Sequence, residues 1–171
     1  MWGAVGLFGL AMLLTGSFAR VIDEKQRVAI PKRLREAMAV PDGGALYLAP
    51  GTDQSLALYT EESFAGLAAR LEQVSPTRQD VRAFVRLFYA RAQRVEIDSQ
   101  GRVRIPQELA ALAQLEKEVV LLAVQDHLEL WSAKIWQCYL EEKQDHYDEI
   151  AETAFGGAAP TEEPAPALKP R

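Results

Sequence analysis

Val-Ile-Asp-Glu-Lys-Gln-Arg-Val-Ala-Ile-Pro at residues 21–31 returns 75 positions later as Glu-Ile-Asp-Ser-Gln-Gly-Arg-Val-Arg-Ile-Pro at 96–106. At that offset Ile22 matches Ile97, Asp23 Asp98, Arg27 Arg102, Val28 Val103, Ile30 Ile105, Pro31 Pro106 and Leu34 Leu109, seven identities in thirteen positions. Chance does not readily produce that density, so the chain carries a repeat. Further on, Leu56, Leu58, Tyr59 and Phe64 match Leu128, Leu130, Trp131 and Trp136 at an offset of 72, which places a shorter loop in the second copy. The repeat therefore spans a whole module.

Both copies read alike. A strand ending at Ile22 or Ile97 enters a polar turn, and Val28 with Ile30, or Val103 with Ile105, alternate at period two into a second strand. Pro31 and Pro106 close that strand and suit a first helical turn, so 32–38 and 107–113 are expected as short helices. The apolar runs 45–49 and 119–124, each followed by a turn and a run ending in Leu58-Tyr59 or Leu130-Trp131, read as hairpins. A helix closes each copy, capped by Thr60 with Glu61 and Glu62 in its first turn, or by Ser132. Phe64, Leu67, Ala68 and Leu71 give the first closing helix one apolar face. Between the copies, Ser75-Pro76 starts a helix with Val81, Phe84, Val85 and Phe88 on one side. Arg78, Arg82 and Arg86 stripe another side, either a solvated surface or a subunit contact, or else a DNA contact. The expected class is α+β, with two tandem β-rich modules.

The net charge of −5 taken alone argues against nucleic acid, but its distribution does not. Residues 1–140 hold 16 basic and 16 acidic side chains, whereas 141–171 hold three and eight. Within the neutral body, Arg20, Lys25, Arg27, Lys32, Arg33 and Arg35 face only Asp23 and Glu24, a basic patch of the kind that meets phosphate. The single cysteine, Cys138, forms no intrachain disulfide, and no cysteine–histidine cluster has metal spacing. A reducing compartment and no metal or cofactor are expected. Cys138, beside Trp136 and Tyr139, reads as a buried inert thiol. His127, expected in a hairpin turn, and His146 lack metal spacing, and no glycine-rich phosphate loop occurs. The chain does not read as an enzyme.

The apolar stretch 2–14 is too short for a bilayer, which needs about 20 residues. Ser17-Phe18-Ala19 resembles a signal-peptidase site, but the basic n-region of a signal peptide is missing. Translation is expected to start at Met12, leaving 1–11 as a non-native extension. The expected organisation is a first module at 12–74, a connecting helix at 75–92, a second module with its C-terminal helix at 93–155, and a disordered Gly/Ala/Pro/Glu-rich tail at 156–171.

The Asp-x-x-x-Arg spacing puts an acceptor at the base of each turn and a guanidinium at its exit. Asp23 and Asp98 can accept turn N–H groups. Arg27 and Arg102 then either project toward phosphate or a guanine edge, or close an internal salt bridge. The repetition of the spacing, with Arg20, Lys25, Lys32, Arg33 and Arg104 nearby, favours binding.

Asp-x-x-x-Arg followed by an apolar-x-apolar-Pro strand end, present twice, resembles the tandem SpoVT-AbrB modules of the MraZ family over roughly 12–150. That resemblance implies swapped-hairpin modules about a pseudo-two-fold and a ring-like homo-oligomer. It also implies a cytoplasmic, nucleoid-associated regulator that binds promoter direct repeats in double-stranded DNA and represses the division and cell-wall gene cluster. No membrane or small-molecule substrate is implied. In the family the DNA-contacting loop is the first module's turn, here Asp23, Lys25, Gln26 and Arg27. Gln26 departs from the family's glycine, which Gly101 keeps. If that position needs positive φ, glutamine costs about 1 kcal/mol or shifts the loop. The related AbrB-type fold also serves in antitoxins, so 141–171 could alternatively be a partner-binding arm.

Overall fold

The structure, a computed structural model, describes residues 13–156. The expected N-terminal extension, Met12, and the tail beyond Gly156 lie outside these residues. In order come β1 (Leu14–Val21), β2 (Arg27–Ala29), α1 (Lys32–Ala37), β3 (Ala45–Pro50), β4 (Leu56–Tyr59), α2 (Glu61–Glu72), α3 (Gln79–Arg91) and β5 (Gln93–Glu96). They are followed by β6 (Arg102–Arg104), α4 (Gln107–Leu112), β7 (Glu118–Gln125), β8 (His127–Ser132), α5 (Ala133–Lys143), one 3-10 turn at 144–146 and α6 (Tyr147–Gly156). The class is α+β.

Six strands form one antiparallel sheet in the order β1-β7-β8-β4-β3-β5, and β2 pairs with β6 in a separate two-stranded ribbon. The hairpins read from sequence are β3–β4 and β7–β8. The opening strand of each repeat lies on the hairpin of the other: β1 runs along β7 and β5 along β3. Two registers return to themselves when the copies are exchanged. In the ribbon Val28 faces its counterpart Val103, flanked by Arg27 opposite Arg104 and Ala29 opposite Arg102. Between the hairpins Ala57 faces Glu129, flanked by Leu56 opposite Leu130 and Leu58 opposite Leu128.

Alternation along the strands sorts the two sheet faces. Leu46, Leu48, Leu56, Leu58, Leu121, Leu128 and Leu130 are buried and join Val28, Ile30 and Leu34 of the first copy with Val103, Ile105 and Leu109 of the second in one core. On the other face Tyr47 stacks on Phe64 of α2 at 4.4 Å between ring centroids, and Phe64 on Phe88 of α3 at 6.0 Å. Thr60 caps α2 as read, its hydroxyl oxygen accepting the Ser63 N–H at 3.1 Å.

Four local expectations change. α3 begins at Gln79, because 75–78 turns through Pro76 before the helix forms. Only Phe88 of its apolar side is buried, while Phe84 is 47% exposed. His127 opens β8, with Gln125 and Asp126 making the turn, and Gln125 takes φ 58° there. Cys138 is exposed, not buried, since α5 buries none of its residues. By contact the chain divides after Trp136, and the residues from Gln137 through α6 form a unit of their own.

Candidate nucleic-acid interface

The two Asp-x-x-x-Arg turns have the same construction. Asp23 N–H donates to the Arg27 carbonyl at 3.0 Å and Gln26 N–H to the Asp23 carbonyl at 2.9 Å; in the second copy Asp98 and Gly101 repeat both bonds at 2.9 and 3.0 Å. Asp23 Oδ1 accepts the N–H groups of Lys25 and Arg27 at 2.9 Å each, and Asp98 Oδ1 those of Gln100 and Arg102 at the same distance. These are the Asx-type bonds expected of the aspartates. The third turn residue stands in the left-handed region in both, at φ 60° for Gln26 and 78° for Gly101.

The turns also hold each other. Ile105 N–H donates to the Gln26 carbonyl at 2.7 Å, and Ile30 N–H to the Gly101 carbonyl at 2.9 Å. Each arginine folds onto its own aspartate, Arg27 Nε to Asp23 Oδ2 at 2.8 Å and Arg102 Nε to Asp98 Oδ2 at 2.9 Å. Each then reaches the other repeat's aspartate, Arg27 Nη1 to Asp98 Oδ2 at 3.8 Å and Arg102 Nη1 to Asp23 Oδ2 at 3.9 Å. The internal salt bridge kept open from the spacing is thus present, as a neutral cluster of four charges. Burial opposes ionisation of Asp23 most strongly, but the bonds from Arg27 and Lys25 together outweigh it and hold its carboxyl below the ordinary range. The Arg102 N–H is the chief cause of the same direction at Asp98. The carboxylates have a second effect, since the ribbon register sets Arg27 directly opposite Arg104, a repulsive pairing that they offset.

The ribbon buries Val28 and Val103, so Arg27, Arg102 and Arg104 share its opposite face. Lys25 and Arg104 are exposed and make no ion pair among the described residues. The remaining cations lie alongside. Arg20 on β1 donates Nε to the Ala29 carbonyl at 3.2 Å and Nη1 to the Ala19 carbonyl at 2.8 Å. Arg33 on α1 donates to the Thr15 carbonyl at 3.2 Å, and both guanidinium carbons lie over the Phe18 ring, at 5.7 Å for Arg20 and 5.3 Å for Arg33. Lys32 pairs loosely with Glu36 at 3.6 Å, both exposed.

Arg35, counted from sequence in the basic patch, turns inward. Its Nε donates to the Ile30 carbonyl at 3.2 Å and its Nη1 to Asp42 at 3.0 Å, and its guanidinium lies against Gly101. A Cβ at Gly101 would stand 2.5 Å from Arg35 Cζ, so a side chain there is strained by its positive φ and displaces the Arg35 guanidinium. The counterpart of Arg35 in the second copy is Ala110. Its small side chain leaves room for Gln26 and a groove of 720 Å³ bordered by Gln26, Arg104, Gln107 and Ala110. The repeat alignment carries this signal as two coupled exchanges, Gln26 for Gly101 and Ala110 for Arg35.

Comparison with known proteins places this geometry among relatives. A family model for the MraZ proteins, whose description also calls them antitoxin-like, matches residues 88–157. The transcriptional regulator MraZ of Lactiplantibacillus plantarum is 40% identical over 137 residues, 80% of this chain and 94% of that protein. The regulators of the same name from Alkaliphilus metalliredigens and Moorella thermoacetica are 37% and 36% identical, covering 81% and 82% of this chain and 94% and 95% of theirs.

Proposed function

Because the chain belongs to the MraZ family, we propose that it is a transcriptional regulator that binds double-stranded DNA through the ribbon face and the turn at 23–27. The observation that carries this reading is the twin-turn ribbon, which holds Arg27, Arg102 and Arg104 on one face with Lys25 at its edge. Arg27 and Arg102 are each held by a carboxylate, and the guanidinium fork suits phosphate or a guanine edge. Arg20, Lys32 and Arg33 extend the cationic surface along β1 and α1 toward neighbouring phosphates. The regulator acts in the cytoplasm at the nucleoid, as a repressor of the division and cell-wall gene cluster, on short promoter direct repeats. It assembles as a ring-like homo-oligomer, so that several subunits engage successive repeats. The repeats of the chain are swapped-hairpin modules, 12–74 and 93–155 about the connecting segment 75–92 that carries α3, related by a pseudo-two-fold. The two self-returning registers support that symmetry.

Fluorescence anisotropy on the DNA directly upstream of this protein's own gene tests the reading, with wild type, Arg27→Ala and Lys25→Ala at two salt concentrations. Wild type is expected to bind tightly and salt-sensitively. Arg27→Ala should lose about tenfold or more, in the range of a specific arginine contact. Lys25→Ala leaves the charge cluster intact and should weaken all sequences alike. Absence of binding by wild type at low salt would overturn the reading and favour a protein-binding module.

A further inference from the structure

We infer that the groove between α2 and α3 receives α6 from a second copy of this chain. The inference rests on the oligomeric reading above and names its contact. The groove has a volume of 440 Å³ and an apolar floor of Ala68, Leu71, Val81, Val85 and Tyr89. Arg82 and Glu72 stand at its border, and Arg86, one turn along the same side of α3, is exposed and makes no ion pair among the described residues. Arg82 is already held, donating to the carbonyls of Pro76 and Thr77. Arg86 is therefore the cation left for an incoming carboxylate.

The complementary element is α6. Tyr147, Ile150, Ala151, Ala154 and Phe155 follow the i, i+3, i+4, i+7, i+8 spacing of one helical stripe. No residue of α6 is buried, and Tyr147 and Phe155 are 71% and 81% exposed. Asp148 and Glu152, four residues apart, flank that stripe on one side. An apolar stripe with an acidic flank matches an apolar groove with the unpaired Arg86 beside it, the helix-in-groove mode of recognition. The lengths also agree, since ten residues of helix span about 15 Å and the thirteen of α3 about 20 Å.

The test uses the full chain without DNA, so that it is independent of the DNA-binding reading, and measures mass by size exclusion with light scattering. Wild type is expected as an oligomer. Arg86→Glu and Glu152→Arg should each fall to smaller species, and mixing the two single variants should restore the wild-type mass through the reversed pair. Phe155→Glu should fall likewise and be rescued by neither, while circular dichroism shows all three folded. Single variants that keep the wild-type mass would overturn this contact and leave the oligomer standing. Variants that lose it without rescue on mixing would overturn the pairing of Arg86 with Glu152 and the contact with it. A monomeric wild type would overturn the contact and the oligomer together.

Discussion

Gln26 and Gly101 hold the same backbone position under different constraints. Gln26 carries a side chain at φ 60°, a conformation that costs an L-residue roughly 1–2 kcal/mol. Gln26→Gly is therefore expected to stabilise the fold by about 1 kcal/mol, read as a higher urea midpoint with an unchanged slope. Gly101→Ala has two costs, the same backbone strain and a collision with Arg35. It should be the more damaging substitution, and Arg35→Ala in the same chain should recover the collision but not the strain. A double-mutant cycle between them checks this, because contacting residues are non-additive. Strict additivity would mean that Arg35 does not press on Gly101. The need for positive φ could be anticipated from the glycine at one of two matched positions. The reach of Arg35 could not, because nothing local distinguishes an arginine on an exposed helical turn from one that folds back over a neighbouring loop.

The β7–β8 hairpin carries the clearest titration. His127 lies with Nδ1 2.8 Å from Asp126 and Nε2 3.6 Å from Glu129, its ring 5.1 Å from that of Tyr59. Its pKa is raised above 6.5, chiefly by the neighbouring Glu129 carboxylate and further by the closer Asp126, against the opposing effect of burial. The same pairing lowers Glu129 below 4.5. A raised histidine stabilises the folded state fully below about 6.5, and that contribution is lost as pH rises through the folded value. A lowered glutamate contributes above 4.5 and is lost as pH falls below that. The melting temperature should therefore decline from pH 6 to pH 8.5 in wild type, and His127→Gln should flatten that decline. Equal slopes in both proteins would remove His127 as the cause. At this scale the sequence was informative wherever periodicity had one interpretation: both hairpins, both short helices after proline and the Thr60 cap were legible. The aromatic side of α3 was only partly so. Spacing identifies a stripe, but Phe88 is buried and Phe84 is not, because Phe64, itself stacked on Tyr47, packs against Phe88.

For the whole molecule, the four-charge cluster between the turns is neutral, so long-range attraction to DNA falls to the outward cations, Lys25, Lys32 and Arg104 together with Arg20 and Arg33. Each phosphate neutralised should add about 0.9 to the slope of log affinity against log salt. If subunits share an array, DNA carrying several repeats should bind far more tightly than one repeat. A salt-indifferent curve, or equal affinity for one repeat and several, would count against the multivalent regulator. The repeat made the number and kind of elements legible, but not which strand lies beside which. Two copies with the same apolar alternation are equally satisfied by their own hairpins or by each other's, and only packing of the complete chain decides.

The placement of β1 has a consequence for how the protein is made. Val21 lies opposite Glu118 and Leu14 opposite Gln125, so the first strand synthesised waits for nearly the last one of the sheet. Such long-range pairing slows folding. While the ribosome is still translating the second repeat, β1 and β2 lack their partners and the β3–β4 hairpin has both outer edges open, the state in which nascent chains aggregate. A message broken between the repeats would release a product in need of chaperones or proteolysis, not a half-sized regulator.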